Sequence, residues 1–115
     1  MDRSELADEP FCYVTTTGRV SGRPHTIEIW FALRDRTLYL LSGGGDGSDW
    51  VRNIRREPAV SVRLGDLETP ARARIVTDPA EDEAARTLVF EKYQPGYKGD
   101  LTSWRRSSLP VAIDL

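Results

Sequence analysis

Period-two alternation of apolar and polar residues recurs along this chain in short runs separated by turn residues, and it decides what the chain can fold into. HTIEIWFAL sets Ile27, Ile29, Phe31 and Leu33 against Thr26, Glu28, Trp30 and Ala32. AVSVRLG sets Val60, Val62 and Leu64 against Ser61 and Arg63, and ETPARARIVT sets Ala71, Ala73 and Ile75 against Arg72, Arg74 and Val76. SLPVAIDL places Leu109, Val111, Ile113 and Leu115 on one side. FCYVTTT and TLYLL are rich in aromatic, β-branched and leucine residues, so they read as two further strands. Alternate side chains of a strand leave opposite faces, so each run has one face to bury. Short connections such as the charged turn of HTIEIWFAL–RDR–TLYLL require hairpins. Six strands with few crossover helices therefore predict an antiparallel sheet closing into a small barrel. The repeated strand–helix alternation of a dinucleotide fold is missing.

Two helices interrupt the strands. DWVRNIRRE pairs Trp50 with Ile54 on one face, reads Asp49 as its N-cap and stops at Pro58. The second opens on Asp78-Pro79-Ala80-Glu81, an N-cap acid with proline at the first position and glutamate at the third. It carries Ala85, Leu88, Val89 and Tyr93 as an apolar stripe. Residues 1–10 read as a frayed helical turn ahead of Pro10, and residues 1–115 as one domain.

Composition excludes several functions. A net charge of −2 argues against a general nucleic-acid binder. No apolar run is long enough to span a bilayer and no signal-peptide pattern opens the chain. One cysteine, Cys12, and one histidine, His25, make neither a disulfide nor a zinc site, so a reduced, metal-independent cytoplasmic protein is expected. His25 reads as a strand-end residue and Cys12 as inert core, which leaves no triad. The arginines Arg63, Arg72 and Arg74 read as a solvated outer face.

Loops suited to an anionic ligand remain. The turn GRVSGR offers Arg19 and Arg23 with the hydroxyl of Ser21 and the amide of Gly22. The loop SGGGDGS, from Ser42 to Ser48, precedes a helix N-terminus, where free amides and the dipole favour negative charge. Asp46 and Asp49 oppose that use, so on the residues alone a phosphate cradle and a plain flexible turn fit the loop equally.

The order of the motifs resembles a known family. TTTGRVSGRPHT, a strand hairpin, a glycine loop and then DWVRNIRREPAVSV are similar to the deazaflavin-dependent nitroreductase family, one of the flavin/deazaflavin oxidoreductases. The matching elements are the T-x-GR-x-SG turn at Thr16–Gly22, Trp50 with Asn53-Ile54, and the strand Pro58–Val62; LPVAIDL resembles the closing strand. The resemblance covers residues 11–115 and implies a mainly β fold with two or three helices, a split β-barrel like that of FMN-binding proteins. It implies an oxidoreductase that moves a hydride from reduced coenzyme F-420, with FMN as the alternative cofactor, to a quinone, an activated alkene or a nitro compound. Carried over position by position, it implies cofactor contacts at Arg19, Ser21, Gly22, Arg23, Ser42, Gly43, Gly44, Gly45, Trp50 and Asn53. Tyr93 and Tyr97 fall on the substrate side, with Tyr97 the expected proton donor. Glu28 and Trp30 would face the cofactor or a partner subunit, and Trp30 and Trp104 are candidate contacts of a homodimer. A departure is Gly43, where relatives often carry lysine or arginine after the serine; the loop is also shorter and holds two aspartates. The other readings are a cofactor- or small-lipid-binding protein without turnover and a ligand-free dimerisation module.

Overall fold

A computed structural model describes residues 3–115. Among these, seven antiparallel strands form one sheet in the order β2-β1-β5-β6-β7-β4-β3. The chain runs α1 (Arg3–Ala7), β1 (Cys12–Thr17), β2 (Pro24–Ile29), β3 (Ala32–Arg34), β4 (Thr37–Ser42), α2 (Asp49–Arg56), β5 (Ala59–Leu64), β6 (Leu67–Ile75), α3 (Pro79–Tyr93), α4 (Thr102–Ser107) and β7 (Leu109–Asp114).

The alternation predicted from the sequence sets the core. Val14, Ile27, Ile29, Leu33, Leu38, Leu40, Val62, Ala73, Val111 and Ile113 belong to one apolar cluster, so all seven strands converge on a single interior. Only a curled sheet brings one face of seven strands together, which makes the fold a split barrel. Val51, Ile54 and Trp50 of α2 pack into the same interior. A second cluster lies on the outer face of β3, β4 and β7, where Ala32, Tyr39, Leu41 and Ala112 meet Ala85, Leu88, Val89 and Tyr93 of α3. The apolar stripe read from the sequence is the stripe that α3 buries, and each fully buried side chain of this size contributes about 1.5–3 kcal/mol.

Three features differ from the expectation. HTIEIWFAL is two strands, not one, which brings the strand count to seven: β2 and β3 lie at opposite edges of the sheet, linked by Trp30 and Phe31. The side-chain alternation continues through the link, because Ile29, Phe31 and Leu33 all point into the same interior. The hairpin of β3 with β4 forms as expected, pairing Ala32 with Tyr39 and Arg34 with Thr37. Among the described residues four α-helices form, of which α4 was not foreseen; its six residues, TSWRRS, are too short to show a helical period. Ser48, not Asp49, is the N-cap of α2, which frees the Asp49 carboxylate for an arginine.

The start of α3 shows how local signals and tertiary partners combine. Asp78 caps it by accepting from the Glu81 amide at 2.9 Å. The Glu81 carboxylate does not close a capping box. It takes two bonds from Arg74, at 2.6 and 2.8 Å, and one from the Tyr39 hydroxyl at 2.7 Å. A bidentate guanidinium outcompetes a single backbone amide for the same oxygens.

Candidate functional site

Two clefts of different chemistry flank β2. The first lies between the β1–β2 turn and α2. The turn is built by the Gly18 amide donating to the Arg23 carbonyl and the Gly22 amide donating to the Gly18 carbonyl, both at 2.8 Å. The Ser21 hydroxyl accepts from the Arg23 amide at 3.1 Å. Gly22 sits at φ 73°, a backbone region that costs residues with a Cβ about 1–2 kcal/mol.

Asn53 ties this turn to α2. Its side-chain oxygen accepts from the Arg19 amide at 3.1 Å and from the Arg19 guanidinium at 2.9 Å, while its amide nitrogen donates to the Thr16 hydroxyl at 3.1 Å. Asn53 and Thr16 are both buried, so the side chain works as an internal strut. Arg19 also pairs with Asp49 at 3.1 Å. The result is a cleft of about 480 Å³ whose floor includes Thr16, Ile27, Trp50 and Asn53, with Arg19, Ser21 and His25 at its edge. Four of the expected cofactor residues, Arg19, Ser21, Trp50 and Asn53, therefore come together. Gly22 borders an adjoining hollow beside Arg56. Arg23 is exposed, and neither Arg23 nor Arg56 has an ion-pair partner among the described residues.

The second cleft, about 750 Å³, opens on the other side of β2. Its walls are apolar and aromatic: Phe11, Ile29, Trp30, Leu41, Leu101 and Trp104. Glu28, Tyr97, Asp100 and Ser103 form its polar rim. Trp30 is the centre of the aromatic cluster. It stacks on Tyr93 at 4.3 Å and meets Tyr97 and Trp104 edge to face, each at 5.8 Å.

The two tyrosines of this region differ in what they can do. The Tyr93 hydroxyl accepts from the Phe31 amide at 3.1 Å and donates to the Pro10 carbonyl at 2.8 Å. Burial pushes its phenol up to about 12, so Tyr93 is a structural peg. Tyr97 is 47% exposed, and its hydroxyl has no partner among the described residues.

The glycine loop lines neither cleft. Ser42 is buried, and its hydroxyl bonds to the Gly45 carbonyl at 3.0 Å and the Ser48 hydroxyl at 2.8 Å. Gly43 lies against Trp104, where a Cβ would stand 3.2 Å from the indole nitrogen. Gly44 and Gly45 complete the turn into a short 3₁₀ segment, Gly45–Gly47. The loop thus backs the aromatic cleft from behind and leads into α2.

Sequence reasoning missed Phe11, Asp100, Leu101 and Ser103. The last three flank or lie on α4, whose lack of periodicity hid the element that carries them. Trp104 was read as a dimer contact, and it lies within the aromatic cluster of its own chain. Cys12 is fully buried, and burial pushes its thiol up to about 12. Among the described residues no group of acids, His and Cys could hold a metal, and no helix is long and apolar enough to cross a membrane.

Solved structures share this fold. An F420-H2 dependent reductase (FDR-A) is 25% identical, with a TM-score of 0.74 over 92% of this chain and 94% of that one. The conserved hypothetical protein Rv2991 from Mycobacterium tuberculosis is also 25% identical, with a TM-score of 0.74 over 100% of this chain and 79% of that one. A third structure, a domain-swapped dimer, matches at 25% identity and a TM-score of 0.74 over 100% of this chain and 82% of that one. The family model for F420H(2)-dependent quinone reductase matches residues 3–115, nearly the full length, and the chain belongs to that family.

Proposed function

We propose that the chain binds coenzyme F-420 along β2, in the cleft between the β1–β2 turn and α2, and reduces a small planar acceptor held in the aromatic cleft. Family membership makes the chain a deazaflavin-using oxidoreductase that acts on small organic acceptors.

The observation that carries the reading is the meeting of the two clefts at β2. Ile27 lines the polar cleft, and Glu28 and Ile29 line the aromatic one. Successive strand residues rise about 3.3 Å, so the two linings are adjacent along β2 and a flat ring bound along the strand would border both clefts.

The residues fit a cofactor with a flat ring and an anionic tail. Trp50 and Ile27 supply apolar surface for a ring, and Asn53 holds the turn beside it. The amides of Val20 and Ser21 donate to no protein acceptor among the described residues. Arg23 and Arg56 supply charge not already neutralised, whereas Arg19 is committed to Asp49 and Asn53 and acts as a positioning residue. Gly43 and the loop behind it support the wall that Trp104 forms.

When bound and reduced, the cofactor supplies a hydride from its central ring carbon. The aromatic walls exclude water from the acceptor and hold it flat. Tyr97 delivers the proton that a quinone oxygen requires. We further read the chain as a cytoplasmic homodimer, and sedimentation velocity tests the assembly.

The test titrates F-420 and FMN separately into the protein and follows tryptophan fluorescence. Quenching by F-420 at micromolar concentration is expected, with FMN at least about tenfold weaker, a gap of about 1.4 kcal/mol. Arg23→Ala and Arg56→Ala should each weaken F-420 several-fold. No quenching by micromolar F-420, or equal affinity for FMN, refutes the proposal.

A further inference from the structure

Building on the reading of the aromatic cleft as the acceptor site, we propose that this cleft selects by charge. It takes planar aromatic rings that are cationic or neutral and rejects anionic ones, and Glu28 and Asp100 are the selecting residues.

Both carboxylates are fixed at the rim. The Asp100 carboxylate accepts from the Thr102 amide at 2.9 Å and the Thr102 hydroxyl at 2.6 Å, through one oxygen. These bonds hold its carboxyl below the usual range, so it stays charged. Glu28 accepts from the Tyr13 hydroxyl at 2.7 Å. No lysine or arginine lines the cleft among the described residues.

Two neighbouring cations are held by aromatic rings, and a third, Lys98, is exposed between Tyr97 and Gly99 and is not among the lining residues. The Lys92 ammonium lies 3.6 Å from the Phe31 ring centre and donates to the Glu9 carbonyl at 2.8 Å. Arg63 sits over the Tyr13 ring at 4.0 Å, on the phenol that donates to Glu28, so it offsets part of the Glu28 charge and not that of Asp100. The lining therefore combines aromatic walls with two carboxylates and no cation, the arrangement that favours an aromatic cation.

The chemistry is consistent with the charge. A cationic ring takes the hydride at carbon: one C–H bond would break on the reduced deazaflavin and one form on the acceptor, with two electrons transferred; the acceptor takes no proton, and the cofactor's ring N–H proton leaves to solvent. The product is neutral, so the carboxylates hold it less tightly than the substrate. A quinone takes the same hydride and also one proton.

The test uses cofactor-free protein carrying Trp50→Phe, so that Trp30 and Trp104 report on the aromatic cleft. The probes are N-methylacridinium, acridine at pH 7.5 and acridine-9-carboxylate, which share one ring system and differ in charge. The expected order of affinity is cation, neutral, anion, with about tenfold between the first and last. Glu28→Gln and Asp100→Asn together should collapse that ratio towards one while leaving acridine unchanged, and each single variant should do part of this. An anion that binds as tightly as the cation, a ratio unmoved in the double variant, or no binding of any probe overturns the proposal. F-420 binding to the wild-type protein, which keeps Trp50, separates the two readings. If F-420 fails to bind while the charge order holds, the cofactor assignment is wrong and charge selection stands.

Discussion

Replacing Asn53 by alanine tests the idea that one buried side chain sets the position of the turn beside the polar cleft. Asn53 makes three hydrogen bonds, two to Arg19 and one to Thr16. A neutral bond is worth about 1 kcal/mol net and one to a charged group about 1.5–3 kcal/mol, which sums to roughly 4 kcal/mol. The Arg19 guanidinium keeps Asp49 and can turn to water, which returns part of its share. The Thr16 hydroxyl cannot, because Thr16 is 2% exposed. The expected loss is about 2–3 kcal/mol, or a Tm about 10 °C lower for a domain of this size. Urea unfolding of four proteins measures it: wild type, Asn53→Ala, Thr16→Val and the double variant. Thr16→Val should cost about 1 kcal/mol alone and close to nothing in the alanine background, a coupling of about 1 kcal/mol. F-420 affinity should fall in Asn53→Ala even where the protein is fully folded, because the turn has lost its anchor on α2. A stability loss below about 0.5 kcal/mol, or the same cost of Thr16→Val in both backgrounds, would refute the reasoning.

Three further outcomes follow from the same geometry. The Arg74 guanidinium holds the Glu81 carboxyl at about 2, below its ordinary 4.5, so Glu81 stabilises the fold fully above the higher value and less as pH falls through the lower one. Discounted for partial exposure, Glu81→Gln should cost about 1–2 kcal/mol at pH 7 and much less near pH 2, where about half of the folded-state carboxylates are protonated, read from urea midpoints at the two pH values. Tyr97→Phe should lower kcat for a quinone by about 10²-fold, leave F-420 affinity intact and spare a cationic acceptor, which needs no proton; stopped-flow oxidation of the reduced cofactor decides it. The Cys12 thiol should be silent to a disulfide reagent at pH 8 in the folded protein and react at once in urea, since burial pushes it up to about 12. Rapid labelling of the native protein would show that the core opens there.

Much of the fold was legible in the sequence because strand faces obey a local rule. Period-two alternation named the inward residues of HTIEIWFAL, and the structure buries or half-buries those same side chains even where the strand breaks. The apolar stripe of α3 and its Asp78 cap were equally local. The site was legible only in part. GRVSG and WVRNI stood out as motifs, and they meet in space through Asn53 and Arg19, 34 positions apart. The aromatic cleft did not stand out, because Phe11, Trp30, Tyr97 and Trp104 come from four separate segments and one of them carries no periodic signal. The glycine loop could not be told from a plain turn by its composition, and Ser42 bonds the Ser48 hydroxyl and the Gly45 carbonyl within it.

By itself, then, the sequence determined which residues face the core, where α3 starts, and which family the motif order resembles, since these depend on neighbours a few positions apart. Tertiary structure decided what no local pattern encodes. It sent one alternating run to both edges of the sheet and gave Arg19 to Asp49 and Asn53 while leaving Arg23 and Arg56 uncommitted. It also set an acidic rim on an aromatic cleft beside β2. Those outcomes rest on which distant groups find each other when the sheet curls, and the energy of such contacts is fixed only once the chain has closed.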